Sequence, residues 1–391
     1  MRCFWGAGLT PRWQLGSELA RTLAALGLLG EASRLFEELG LWDECITAIA
    51  AMGHVQQAEA MVRKRLDTAP TAEMWCHLGD LTGEIAHFEK AWEVSSATCA
   101  RAKLKLGSAS MRAERWAEAR EHLKDALRVK AHYAEAWYCS AVCSLKLEES
   151  AAAMSEMRKV VSIDPTHYQA WSSLGGLFAK HGKMKREALY AFREACKLRG
   201  DSWQLWQHTA LAALALGRIE ETIQAEGMSL KNGGPPAPQV SSLVAQAVAK
   251  DVRDGSDDGR TTRRLLPKAR QLLKTSCDAK PTDAAHWDAR LHLEKAYGTS
   301  EEVAACLRAQ LDAYRTHAPW RTDSATLSAV SEVAAQLVEV MLESGELKEM
   351  RDARALVEAL LHEASEHLVA SPGCEELRML LSRVQRHLDD D

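Results

Sequence analysis

The chain has 391 residues, enough for two or three ordinary domains or one extended repeat array. Apolar residues make up 47% and charged residues 26%, which is the composition of a folded chain and excludes a disordered one. The formal charge of -5 argues against a dedicated nucleic-acid or membrane-surface binder.

Apolar runs stay short of the roughly 18 residues a membrane span needs, so no transmembrane helix is expected. Arg12 interrupts an N-terminus without a clean hydrophobic region, so no signal peptide is expected. The ten scattered cysteines then read as reduced, buried small hydrophobes in an intracellular protein. Trp (12) outnumbers Tyr (6) and Phe (5), which suits stacked helices in which one large ring fills each gap between helices.

In chain order, residues 1–16 form an irregular start. Ser17 is placed to cap a helix ending at Gly27, and Glu31 to Leu39 gives a second helix closed by Gly40. Trp42 opens a repeat with Ala58 and Val62 in its second helix. Trp75, Leu78 and Gly79 open the next, followed by Ala91. A third keeps Leu106 and Gly107, then Ala119 and Leu123, with Lys103 in the Trp position. Trp137, Ala153 and Met157 mark a fourth. In the fifth, Trp171, Leu174, Gly175 and Phe178 share one helix face, and Ala188, Phe192 and Ala195 follow. Trp206, Gly217 and Thr222 mark a sixth whose second helix is degenerate.

Trp137, Trp171 and Trp206 are spaced by 34 and 35 residues. The small residues Ala58, Ala91, Ala119, Ala153, Ala188 and Thr222 recur at intervals of 33, 28, 34, 35 and 34. This is the W-x2-L-G-x2-aromatic, A-x3-F pattern of a tetratricopeptide (TPR) repeat. The fold expected is all-α, a TPR-type solenoid of stacked antiparallel hairpins, because one hairpin alone cannot bury both its faces. Residues 17–230 are expected to carry about six repeats plus an N-terminal hairpin. Residues 231–260 read as a Gly/Pro-rich break and an exposed charged loop, and 261–391 as a helical region of degenerate TPR-like hairpins.

Candidate chemistry fails on spacing. His362 and His367 resemble a zincin pair but lie five residues apart, about 140° around a helix. Asp254, Ser256, Asp258 and Gly259 mimic a calcium loop that lacks its final Glu, since Leu265 stands there. Cys139 and Cys143 have no second ligand pair. Phosphate loops, dinucleotide fingerprints and nucleophile elbows are absent from the sequence. No enzyme, cofactor or metal site is expected.

Positions exposed on the first helices, assigned by register from the Trp residues, give the expected partner groove. They are Arg101, Leu104 and Ser108; Glu135, Tyr138 and Val142; Gln169, Ser172 and Gly176; and Gln204, Gln207 and His208. A carboxylate clamp for heat-shock chaperone C-termini is not supplied, and the chain's one Asn, Asn232, lies in the break. Basic stretches at 101–130 and 253–274 leave an RNA-contacting surface as an alternative, and an enzyme with an unrecognised site as a weaker one.

Two stretches are more specific. Leu78-Gly79-Asp80 through Lys90-Ala91-Trp92-Glu93-Val94-Ser95, and Asp201 to Trp206, resemble the tetratricopeptide repeat protein 27 family. The resemblance covers nearly all of the chain and implies a non-enzymatic protein-binding scaffold of the cytoplasm and nucleus, with no membrane attachment. It also implies a role beside chaperone-linked machinery that assembles large protein or ribonucleoprotein complexes. Family members carry a further helical N-terminal half, which this sequence is expected to lack.

Overall fold

A computed structural model describes residues 11–255, 260–317, 320–321, 323–343, 347–364 and 371–390. Among them the secondary structure is helical, apart from an isolated bridge between Arg253 and Thr261. The chain divides into two compact units, the first ending at Ala170 and the second beginning at Trp171.

The first unit is a stack of antiparallel hairpins. These are α1 (Arg12–Ala25) with α2 (Leu29–Glu38), α3 (Trp42–Ala51) with α4 (Val55–Thr68), α5 (Ala72–Thr82) with α6 (Ile85–Val94), α7 (Ala100–Arg112) with α8 (Trp116–Val129), and α9 (Ala134–Lys146) with α10 (Ser150–Ile163). Each helix packs on the next, and the first helices α3, α5, α7 and α9 touch in series to form one face. Residues 12–16, read from the sequence as part of an irregular start, belong to α1, which begins at Arg12 behind Pro11. Ser17 does not cap it. Its hydroxyl lies buried within the helix and donates to the Gln14 carbonyl at 2.8 Å.

The second unit contains α11 (Tyr168–Lys180) from Trp171 onward, then α12 (Lys185–Leu198), α13 (Trp203–Leu214) and α14 (Ile219–Lys231). It continues through α15 (Pro238–Ala249), α16 (Leu266–Ala279), α17 (Ala284–Tyr297), α18 (Ser300–His317), α19 (Ser324–Glu343), α20 (Leu347–Glu363) and α21 (Pro372–Asp390). Contrary to the degenerate pattern of its sequence, α14 is a full helix packed along α13, with Thr222 and Ser229 fully buried. The Gly/Pro-rich break contains α15, which packs chiefly on α17. Pro238 suits its first turn, where an N–H would have no intrahelical partner. Thr299 caps α18: Glu302 N–H bonds to Thr299 Oγ1 at 3.3 Å and Thr299 N–H to Glu302 Oε2 at 3.0 Å, a reciprocal capping box.

The charged loop after α15 is not simply exposed. Asp254 is 3% exposed, and its carboxylate accepts the Ile219 N–H at 2.7 Å at the start of α14. An anion there satisfies an orphan donor and the positive end of the helix. Gly255 follows so closely that a Cβ would meet the Leu216 carbonyl oxygen at 2.3 Å. The calcium-loop pattern thus begins with a structural carboxylate, while Ser256, Asp258 and Gly259 lie outside the described residues.

Among the described residues, one helix is long and apolar enough to cross a membrane, α19. Glu332 and Glu339 interrupt its sequence. Leu327, Val330, Ala334, Leu337 and Val338 lie within the hydrophobic core that α19 shares with α18, α20 and α21.

Hairpin closure has one recurring contact. A Cβ on Gly79 would meet the Phe88 ring at 2.7 Å, one on Gly107 would meet Leu123 at 2.9 Å, and one on Gly175 would meet Phe192 at 2.8 Å. A large second-helix side chain therefore lies on the bare backbone of the first helix in these three hairpins. The contact also re-assigns Ala91. It lies three residues beyond Phe88, as Ala126 lies beyond Leu123 and Ala195 beyond Phe192. Ala91, Ala126, Val160, Ala195 and Ser229 are all fully buried at intervals of 35, 34, 35 and 34. The apparent interval of 28 arises because α6 has 10 residues where α8 has 14, and enters its hairpin late.

The Trp rings at the repeat positions are only partly enclosed, although Trp42 and Trp75 pack against the core. Trp42, Trp75, Trp137, Trp171 and Trp206 are half-buried. The indole N–H of Trp137 donates to the Ala131 carbonyl at 2.8 Å, that of Trp206 to Gly200 at 2.7 Å, and that of Trp287 to Pro281 at 2.9 Å. In each case the ring ties the turn entering its own helix, six residues back. Ala58, Ala119, Ala153 and Ala188 are buried at the second-helix position, with Leu78, Leu174 and Phe178 buried in the first helices.

Two adjacent glycines in α11 separate close packing from helix propensity. Gly175→Ala overpacks Phe192 and is expected to cost about 1–3 kcal/mol. Gly176→Ala meets nothing within 4 Å and is expected to be stabilising by roughly 0.5–1 kcal/mol. Urea unfolding of both variants checks this, and equal effects would contradict the packing.

Candidate functional site

Closing each hairpin uses one side of the first helices, and their other side faces outward. In the first unit this face holds a charged network. Arg101 donates to Asp80 at 2.7 Å and to Glu73 at 3.2 Å, and Lys105 meets Asp80 at 2.9 Å. Burial alone would raise the Asp80 carboxyl, but its bonds to Lys105 and Arg101 outweigh this and hold it below the ordinary carboxylate value.

Beside the network is a cavity of about 380 Å³. Its wall includes Ala24, Leu29, Phe36, Ala48 and Ala51, and its polar groups include Asp43, His77 and Arg101. His77 is 6% exposed, with Nε2 at 3.4 Å from an Asp43 oxygen. Burial, aided by the Arg101 charge, pushes its pKa below the ordinary imidazole value against the pull of Asp43.

The second unit opens a smaller cavity of about 280 Å³ between α11, α12 and α13. Ser172, Gly176 and His208 line it, with Ala188 and Phe192 contributing from α12. The His208 ring stacks on Phe192 with centroids 5.4 Å apart, and the lost hydration pushes its pKa down.

The remaining groove positions are mixed. Leu104 is a correction. It is 1% exposed within the core formed with Leu123 and Ala136, because α9 covers that register of α7 and a leucine is long enough to be enclosed. Ser108 spends its hydroxyl on the Leu104 carbonyl at 2.9 Å. Tyr138 lies against His167 with ring centroids at 4.7 Å, Val142 is half-buried, and Glu135 and Gln169 are exposed. Gln204 accepts from the Ser202 hydroxyl at 2.9 Å, and Gln207 is half-buried. Phe36, His77 and Leu211 line the cavities, yet register from the Trp positions missed them. His77 sits two residues after Trp75, and only its company of Asp43 and Arg101 singles it out.

Among the described residues no three His, Cys, Asp or Glu side chains gather as a metal site. Burial pushes the Cys139 and Cys143 thiols up to about 11, away from the thiolate that a metal needs. Glu363 is held by Arg315 and by Arg321, the latter at 2.9 Å, and Ser365 to His367 lie outside the described residues.

The basic stretch at 101–130 is largely neutralised. Besides Arg101 and Lys105, Lys103 pairs with Asp125, Arg115 with Glu118, Arg120 with Glu149, Lys124 with Glu121 and Arg128 with Asp125. In the second stretch, Arg264 and Lys268 pair with Glu220, and Arg270 with Glu294.

No protein-family model matches the chain. Tetratricopeptide repeat-containing protein trd-1 of Caenorhabditis elegans is 30% identical over 248 residues, covering 62% of this chain and 32% of the relative. The tetratricopeptide repeat protein 27 homolog of Dictyostelium discoideum is 29% identical over 138 residues, 35% of this chain and 16% of the relative. The chain thus spans about a third or less of the length of these curated relatives. Among solved structures, YrrB, described as a TPR protein with an unusual peptide-binding site, aligns with a TM-score of 0.42 at 15% identity, covering 53% of this chain and 99% of its own.

The lowered His77 pKa has a signed consequence. The imidazole stays neutral in the fold while the unfolded chain takes up a proton near about pH 6.5. The stability that depends on this group is therefore fully present above that value and is lost as pH falls below it toward the lower folded value. In His77→Gln the loss of Tm between about pH 7.5 and 5.5 is expected to shrink, and an unchanged pH slope would contradict the assignment.

Proposed function

We propose that this chain, a tetratricopeptide-repeat protein similar to the tetratricopeptide repeat protein 27 homolog, is a protein-binding scaffold. The observation that carries the reading is the outward side of the first helices. In both units it borders a cavity with apolar walls and a few polar groups. An open wall of this kind suits a protein segment laid along it more than a small molecule enclosed by it. The ion pairing of the 101–130 stretch favours protein over RNA, because a phosphate would have to displace the carboxylates already bound to those cations.

We further propose, on the resemblance, that the scaffold assists assembly of a larger protein or ribonucleoprotein complex in the cytoplasm or nucleus. The test is affinity purification of the chain from cell extract, with and without nuclease, read by mass spectrometry. A defined protein set that survives nuclease is the expected result. Loss of every partner on nuclease treatment would move the function to the basic faces and RNA.

A further inference from the structure

We infer that the cavity between α11 and α13 takes an apolar side chain from an acidic protein segment. The inference rests on the scaffold reading and gives it a partner chemistry.

The cavity is a place where the first-helix face lacks side chains. Gly176 lines it, and a Cβ built there would meet nothing within 4 Å. Ser172, Ala179, Ala212 and Ala215 are the other small residues of its wall. Between them Ala188 and Phe192 of α12 form the buried floor of the cavity. Leu211, 45% exposed, adds an apolar edge. At about 280 Å³ the space lies just below the ~300–1,000 Å³ of pockets for drug-sized ligands, and suits a side chain inserted from a larger partner.

The charge around this cavity is predominantly positive, with Glu187 the nearest carboxylate in sequence. From Tyr168 to Arg186 the chain has no carboxylate, and α13 has none either. Lys180, Lys183, Lys185 and Arg186 are exposed, and among the described residues none of them has an ion-pair partner. Lys185 lines the cavity, with Nζ at 3.4 Å from the Ala215 carbonyl. Elsewhere, at Arg101, Arg120 and Arg193, exposed cations have a carboxylate in reach. In a chain of net charge -5, four cations outside any ion pair against the single carboxylate of Glu187, beside an apolar opening, are complementary to an acidic segment. His208 covers Phe192 and is the one exposed ring of the lining, whereas the remaining wall is mostly small aliphatic side chains, so the favoured partner is protein and not single-stranded nucleic acid.

The probes are short synthetic peptides with a central leucine flanked by glutamates, the same peptide with lysines, and a serine-centred version with glutamates. Binding to the full chain is measured by calorimetry at low and high salt, with an oligouridylate RNA in parallel. The glutamate–leucine peptide is expected to bind and to weaken with salt. Gly176→Leu fills the opening and should weaken it at least roughly tenfold. Lys183→Glu with Arg186→Glu, both at exposed sites, should weaken it and flatten the salt dependence. No binding of that peptide, equal binding of the lysine or serine versions, equal binding to the Gly176→Leu protein, or binding of RNA alone would overturn the inference. If Gly176→Leu keeps the full nuclease-resistant protein set, the cavity assignment fails while the scaffold reading stands. Absence of such a set from the unsubstituted chain fails the scaffold reading itself.

Discussion

A second-helix side chain lying on the bare backbone of a first-helix glycine sets how closely the two helices of a hairpin approach. Phe88 on Gly79, Leu123 on Gly107 and Phe192 on Gly175 each occupy the space a Cβ would take. Any other residue at the glycine would push the helices apart and open voids in a core that tolerates little change of volume. The small residue three positions further on, Ala91, Ala126 or Ala195, is fully buried and lets the next helix close in from the other side. With closure concentrated on one side, the outward side of the first helices is released from packing. That release gives the cavity beside His77 and Arg101 in one unit and the cavity at Gly176 in the other.

Much of this was legible in the sequence because a repeat states the same physical requirement several times. The Leu-Gly pairs, the recurring alanines and the 34-residue spacing placed the hairpins and the helical class. What stayed hidden depends on contacts between elements distant in sequence. The late entry of α6 shifts Ala91 to a different role while preserving its distance from Trp75, so counting from Trp could not reveal it. The Trp rings looked like core filling, but those of Trp137, Trp206 and Trp287 use the indole N–H to tie down the preceding turn, a polar role that spacing does not encode. Asp254 read as part of a loose acidic loop. It is a buried cap on a helix that begins 35 residues earlier. Leu104 had the register of a groove residue and is enclosed by a neighbouring helix.

Electrostatics divides the surface in a way that composition conceals. Counted along the sequence, 101–130 is the most basic stretch, yet the fold returns a carboxylate to most of its cations. Four cations near the α11–α12 turn attracted no notice as a sequence run, but folding brings no carboxylate to them. Local sums of charge therefore mislead wherever ion pairs cross between helices, as Arg120 with Glu149 and Arg101 with Asp80 do. Such exposed pairs contribute little to stability. Their effect here is on which surfaces remain available to a charged partner.

The contact between Gly175 and Phe192 tests the account most directly through a double-mutant cycle in urea unfolding. The cycle combines Gly175→Ala with Phe192→Ala and compares the pair with each single variant. Once the ring is gone the added methyl has space, so Gly175→Ala should then cost little, and the coupling should reach about 1 kcal/mol or more. Additive effects would mean that the glycine is required for some reason other than the ring lying on it.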